Sequence, residues 1–546
     1  MSKYRDLVVQ LRGAFPTPTS DPQHDGYMVI SLLRALDRVD ALKSQAPILG
    51  VPRELDFEAA MQATLPLVSR SLEQVLPELV QSLDGMVIWG HPRSQVNVIA
   101  HPSIASIVGV LLPSMYNPNL CSEESGRGFS EAEVRASSMV AQLIGYDPAQ
   151  SGGLFTFGGT GTLLYGVKVG LEKALTGTFQ QGLRERAVIV CSDRSHYACQ
   201  SVAAWLGLGL DAVVQVPSGD DNAIDISQLE TKLNDLVAKG QRIAAIVATL
   251  GTTDAFGLDD LAAMHALRDR LVSDNQLDYT PHLHADAVIG WAWSVFRDYD
   301  FAANPLGFRG RTVRALAGTE NVVQHLPLAD SVGIDFHKTG FAPYVSSLFL
   351  LRERADFQTL VRRRDSMPYI YHTGDYHPGM FTLETSRSAS GAMAALASML
   401  LLGKEGFRAL LGHAVDMAEE LRELIEARPE LTVMNEENVG PVTLFRAYPS
   451  GVDTFHVKDR ERNDPSYRDE LRKHNDLNRC IYQHVQQEAL AGRGVALGFT
   501  DMYCTSCDGE PINALKSYVL SPFVDEMQMK AVVEHVLAAR DLVRGS

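Results

Sequence analysis

At 546 residues the chain is too long for one simple core, and two or three domains are expected. Its 45% hydrophobic and 21% charged content suits a globular enzyme. The net charge of −17 works against nucleic acid and against anionic membranes as partners, because both need basic surface.

The start, Met1 to Asp6, lacks the apolar stretch of a signal peptide, and no apolar run is long enough for a membrane span. Six cysteines do not make a disulfide framework, so a cytoplasmic location is expected. Cys504 and Cys507 lack the neighbouring ligand pair that a zinc site needs and read as loop thiols, so no metal is expected.

The first hundred residues read mainly as helices, for example Tyr4 to Phe15 and Phe57 to Leu83. Ser130 to Glu133 has capping-box spacing and predicts a helix start. From there, short apolar runs (Ala187 to Cys191, Ala245 to Leu250, His284 to Ala287, Ser347 to Leu351) alternate with helical stretches such as Ile226 to Lys239 and Asp259 to Val272. This alternation predicts an α/β domain with a mostly parallel sheet and a ligand at the carboxyl ends of its strands. Beyond about residue 380 a long helical region and the runs Val442 to Phe445 and Lys516 to Leu520 predict a smaller α+β domain. The expected division is a helical segment 1–100, a large domain 101–380 and a small domain 381–546.

Four segments carry chemistry. Gly158-Gly159-Thr160-Gly161-Thr162 follows a strand and opens a helix, which suits an anion at the helix N-terminus, although it is neither a Walker loop nor a G-x-G-x-x-G dinucleotide motif. His196, just beyond the Ala187 strand, is placed to stack on a flat ring. Asp286 ends a buried strand and needs a cationic partner such as a protonated pyridine nitrogen; a structural acid bound to loop N–H groups is the alternative. Lys338, in Asp335-Phe336-His337-Lys338, lies on a turn between two buried strands, where burial is expected to lower its pKa and free the amine to attack a carbonyl.

From about Asn117 to Arg387 these segments together resemble the group II family of pyridoxal 5′-phosphate (PLP) dependent decarboxylases. The resemblance implies the fold type I architecture: a large domain with a mostly parallel sheet, a smaller α+β C-terminal domain and a helical N-terminal segment. It implies Gly159 and Thr160 at the cofactor phosphate, His196 stacked on its ring, Asp286 at its ring nitrogen and Thr253 close by. It also implies the covalent anchor at Lys338, with His337 beside the phosphate, and a homodimer.

Thr382 to Arg387 matches a family segment whose arginine binds a substrate carboxylate, making Arg387 the candidate for that role. The stretch Tyr369 to Gly379 reads as a mobile active-site loop, in which Tyr376, with Tyr371 as rival, matches a family proton donor. Three departures stand out: Gly161-Thr162 in place of Glu-Ala, Val288 to Trp291 after Asp286-Ala287, and Asp335 where the aromatic branch has Asn.

The expected reaction is decarboxylation of an L-amino acid, with an acidic substrate favoured (aspartate to β-alanine ahead of glutamate to γ-aminobutyrate), as in bacterial aspartate or glutamate decarboxylase-like proteins. The rivals are an aromatic amino acid decarboxylase, a carbon–carbon lyase of the sphingosine phosphate lyase type, and a PLP-carrying protein without turnover.

Overall fold

The predicted strand–helix alternation forms one seven-stranded sheet in the computed structural model, which describes residues 3–362 and 371–544. Its strands are β2 (Gly152–Thr156), β3 (Ala187–Ser192), β4 (Val213–Val216), β5 (Arg242–Thr249), β6 (His282–Asp286), β7 (Ser331–Asp335) and β8 (Ser347–Leu351), in the order β2-β8-β7-β6-β5-β3-β4. Only β8 runs against the rest. Strands β3, β6, β7 and β8 are buried along their whole length, which explains why they read as unbroken apolar runs.

The second sheet has five strands: β1 (Ser94–Gln95), β9 (Leu431–Val433), β10 (Val442–Ala447), β11 (Ala496–Thr505) and β12 (Pro511–Tyr518), in the order β1-β11-β12-β10-β9. Strand β1 was not expected. It comes from the N-terminal segment, yet it pairs with Ala496 and Leu497. Ser517 Oγ donates to Gln95 Oε1 at 2.6 Å beside it, so the N-terminal and C-terminal parts share one sheet.

The N-terminal helices are α1 (Lys3–Leu11), α2 (Pro22–Asp40), α3 (Phe57–Met61), α4 (Leu72–Gln81) and α5 (Ile104–Tyr116). The single helix predicted over Phe57 to Leu83 is thus two, parted by a loop that contains Pro66. Next come α6 (Glu123–Gly126), α7 (Gly128–Ile144) and α8 (Gly159–Ala174). The expected start at Ser130 is wrong: α7 begins two residues earlier, Ser130 is buried, and Glu133 bonds elsewhere.

Helix α8 lies close on the sheet because its facing residues are glycines. A Cβ on Gly166 would sit 2.5 Å from His284 Nδ1, and one on Gly170 would collide with Ala244 O. That approach brings the N-terminus of α8 to the carboxyl ends of β6 and β7. The long helix Ser390–Glu426 packs on α5 and α7 and connects the two sheets.

Candidate active site

The carboxyl ends of the parallel strands deliver the expected residues to one place. Asp286 ends β6 and Asp335 ends β7; the helical turn Phe336–Thr339 then carries His337 and Lys338. Lys338 Nζ lies 3.0 Å from Asp335 Oδ2, and His337 Nε2 lies 3.5 Å from the same oxygen. Ser347 Oγ donates to Asp335 Oδ1 at 2.5 Å. Trp291, in the segment that departs from the family pattern, donates from Nε1 to the Asp335 carbonyl at 3.3 Å.

Charge sets the protonation states. Burial alone would push the Lys338 ammonium down, but Asp335 and then Asp286 outweigh it, and the net direction is up. The expectation of a lowered lysine pKa therefore fails, because the site buries two carboxylates beside one amine. Burial pushes Asp286 up to about 6, with Lys338 opposing. Burial holds His196 below its ordinary value, and the Lys338 charge adds to that. Burial also lowers His337, whose Nδ1 faces the Ser346 backbone.

These residues fit PLP. Asp286 Oδ1 is buried and has no hydrogen-bond partner among the described residues, which suits an acceptor for a protonated ring nitrogen. Gly158 adopts φ +106 and a Cβ there would meet nothing within 4 Å, while a Cβ on Gly159 would sit 3.0 Å from Asp335 Oδ2. The backbone at the start of α8 is therefore open to an anion and tight behind it. Thr160 is exposed at this end. Thr253 is half-buried, and its carbonyl accepts from Lys516 Nζ at 3.0 Å, a contact from β12 that the sequence did not signal.

Two expected residues lie elsewhere. The Arg387 guanidinium is buried and committed: it pairs with Glu133 and donates to the Leu120 and Phe155 carbonyls at 2.9 Å each. Its Nε is buried and has no hydrogen-bond partner among the described residues. Glu133 Oε1 accepts from Phe155 N at 2.8 Å, so the pair satisfies both backbone groups of Phe155 at the outer edge of β2.

The Tyr376 hydroxyl donates to the same glutamate at 3.2 Å; burial, then Glu133, pushes its pKa far up. Glu133 in turn binds β2, which lies two strands from β7 in the sheet. Tyr369 and Ile370 of the expected loop lie outside the described residues. The rest is pinned by two glutamates that sequence reasoning missed. Glu124 accepts from the amides of Tyr371, His372 and Thr373, and Glu123 from those of Asp375 and Tyr376. Only the adjacency of two acids in Glu123-Glu124 hinted at this.

A sheet with an anion-binding helix start, a lysine and an unpartnered buried acid at its carboxyl edge defines a PLP enzyme of fold type I. The pyridoxal-dependent decarboxylase conserved domain matches residues 56–447, and the chain belongs to that family of PLP-dependent amino acid decarboxylases. It is 25% identical over 471 residues to an L-2,4-diaminobutyrate decarboxylase of Acinetobacter baumannii, covering 83% of this chain and 81% of that one. It is 24% identical over 428 residues to an aspartate 1-decarboxylase of Aliivibrio fischeri, covering 73% and 71%.

The fold matches the glutamate decarboxylase domain of a Vibrio parahaemolyticus diaminobutyrate-pyruvate transaminase and L-2,4-diaminobutyrate decarboxylase (TM-score 0.74, 18% identity, 98% and 99% covered). It also matches an Oryza sativa TDC solved with PLP and tryptamine (TM-score 0.75, 15% identity, 97% and 99% covered). Among the described residues, no helix is long and apolar enough to cross a membrane, and no cluster of His, Cys, Asp and Glu could hold a metal ion.

Two predictions follow from the charges. Glu133→Gln leaves a buried guanidinium without its counter-charge and should cost about 3–5 kcal/mol, read as a lower thermal midpoint. An unchanged midpoint with a raised KM would return Arg387 to the substrate pocket. Asp286 binds its proton more tightly folded than unfolded, so its charge costs the cofactor-free protein nothing well below pH 4 and most above about pH 6. Asp286→Asn should then stabilise that protein at pH 8 by about 1–3 kcal/mol, with the gain fading toward pH 4. Equal midpoints at pH 8 would contradict a buried charge there.

Proposed function

We propose that the site decarboxylates a short L-amino acid with a cationic side chain, L-2,4-diaminobutyrate first, with Lys338 as the cofactor lysine. The observation that carries the side-chain preference is the commitment of Arg387 to Glu133. The expectation of an acidic substrate rested on that arginine, and its pairing with Glu133 removes that support. The relative from Acinetobacter, named for diaminobutyrate, supports the same reading. Aspartate remains the second reading, supported by the relative from Aliivibrio.

When bound, PLP supplies an electron sink for the pair released as the α-carboxylate leaves. Asp286 keeps a proton on the ring nitrogen through a charge-assisted hydrogen bond, a class that contributes about 1.5–3 kcal/mol. His196, held by the Ala198 amide on its Nδ1 at 3.1 Å, presents its ring face to the cofactor. The Gly158-Gly159 turn, Thr160 and the α8 N-terminus receive the phosphate, with His337 beside it. Thr253 holds its place through Lys516 and supports the cofactor's edge.

The chain is further proposed to act as a homodimer. Helices α1 to α4 bury no residue, and Ile30, Leu33 and Leu36 of α2 are at least half exposed. Helix α5 adds exposed Ile104 and Tyr116. A second copy of the chain is the occupant that would cover these faces. Light scattering should give twice the chain mass; a single-chain mass at micromolar concentration would remove the dimer.

CO2 release across a panel of L-amino acids, with the amine identified, tests the activity. Turnover is expected with diaminobutyrate, at least tenfold above aspartate in kcat/KM. Preference for aspartate or glutamate would restore the acidic reading, preference for aromatic substrates would overturn the pocket, and no CO2 from any would contradict decarboxylation.

A further inference from the structure

Asp335 is a second buried carboxylate in the site, and the mechanism above gives it no task. It is 1% exposed. One oxygen is fixed by Ser347 Oγ at 2.5 Å, and the other faces Lys338 Nζ at 3.0 Å and His337 Nε2 at 3.5 Å. It also stands directly behind the anion-binding turn, within 3.0 Å of where a Gly159 Cβ would be. A carboxylate beside a phosphate cradle raises electrostatic cost unless a cation lies between them. Its ion-pair contacts here are Lys338 and His337, and burial disfavours the charged form of His337, which leaves Lys338 as the compensating charge.

A cofactor lysine has two situations. Bonded to the cofactor, its nitrogen is held at the reacting carbon; displaced by substrate, it is a free amine in a site largely closed to water. A free ammonium needs a counter-ion nearby or its burial is costly. Asp286 cannot serve if it is engaged by the ring nitrogen. Asp335 lies three residues before the lysine, at the end of β7, with its Oδ2 3.0 Å from the amine.

We propose that Asp335 is a positioning residue for Lys338: it receives the lysine's amine as an ammonium whenever that amine is not bonded to the cofactor. The ammonium is held against the α8 turn, so the lysine leaves without wandering and returns from a fixed place. Ser347 aims the carboxylate, and Trp291 fixes the backbone that carries it. The net rise in the Lys338 pKa agrees with this geometry. The proposal rests on Lys338 being the cofactor lysine, but it does not depend on which amino acid is the substrate.

The test uses the cofactor-free full chain and needs no turnover. Acylation of Lys338 by acetic anhydride is followed against pH by peptide mass spectrometry, with exposed lysines of the same protein as reference. In the wild-type chain the Lys338 midpoint should lie above the ordinary lysine value of about 10.4. Asp335→Asn keeps the shape and can still accept from Ser347. It should lower the midpoint by at least one unit and speed labelling at pH 9 about tenfold. A purely structural role would leave this profile unmoved. An unchanged midpoint in the folded variant overturns the proposal. If Asp335→Asn does not fold, the wild-type profile decides: a midpoint at or below that of the exposed lysines overturns it, and one above supports it. Failure of the substrate reading would leave this profile as predicted, so the two can fail separately.

Discussion

One ammonium paired with Asp335 in the field of a second carboxylate, Asp286, is the constraint on which the rest of this structure depends. Lys338, Asp335 and Asp286 stand at the carboxyl edge of adjacent strands, and burial of three charges is tolerable only when each is held in place. Asp335 is held by Ser347, and Lys338 by Asp335. One oxygen of Asp286 has no partner among the described residues. A ring nitrogen that carries a proton would meet it, as proposed above, and would tie cofactor binding to the stability of the site.

The surrounding fold serves that edge. Glycines along α8 let the helix settle on β5 and β6, and the same closeness brings its positive end to the carboxyl edge of the sheet. His284 occupies the space that Gly166 leaves, bonded through Nδ1 to Ser331 Oγ at 2.8 Å on the neighbouring strand. The outer edge of the sheet is closed by Arg387 and Glu133 in place of another strand. The C-terminal sheet reaches in through Lys516, which ties β12 to Thr253 and to Asp254 at 2.8 Å. The two sheets are thereby tied together through Lys516.

Much of this was legible in the sequence, for a physical reason. In a parallel sheet the residues at strand ends converge, so short apolar runs that stop at Asp286 and Asp335 mark the site before any packing is known. The partners of Arg387 and Tyr376 were not legible, because they share a carboxylate more than 240 residues away in sequence. Glu133 itself was misread as half of a helix cap; its spacing from Ser130 is right for one, but the carboxylate bonds to the edge strand. Strand β1 escaped notice because two residues carry no periodicity. The lysine pKa was misjudged in sign because burial was counted and the two neighbouring acids were not.

The central claim is that the amine held by Asp335 is the one that bears the cofactor. The most direct measurement is borohydride reduction of the PLP-loaded protein, followed by digestion and sequencing of the phosphopyridoxyl peptide. The account predicts the label on Lys338 within the segment Ile334 to Gly340. A label on Lys516, the other nearly buried lysine at this edge, would contradict it.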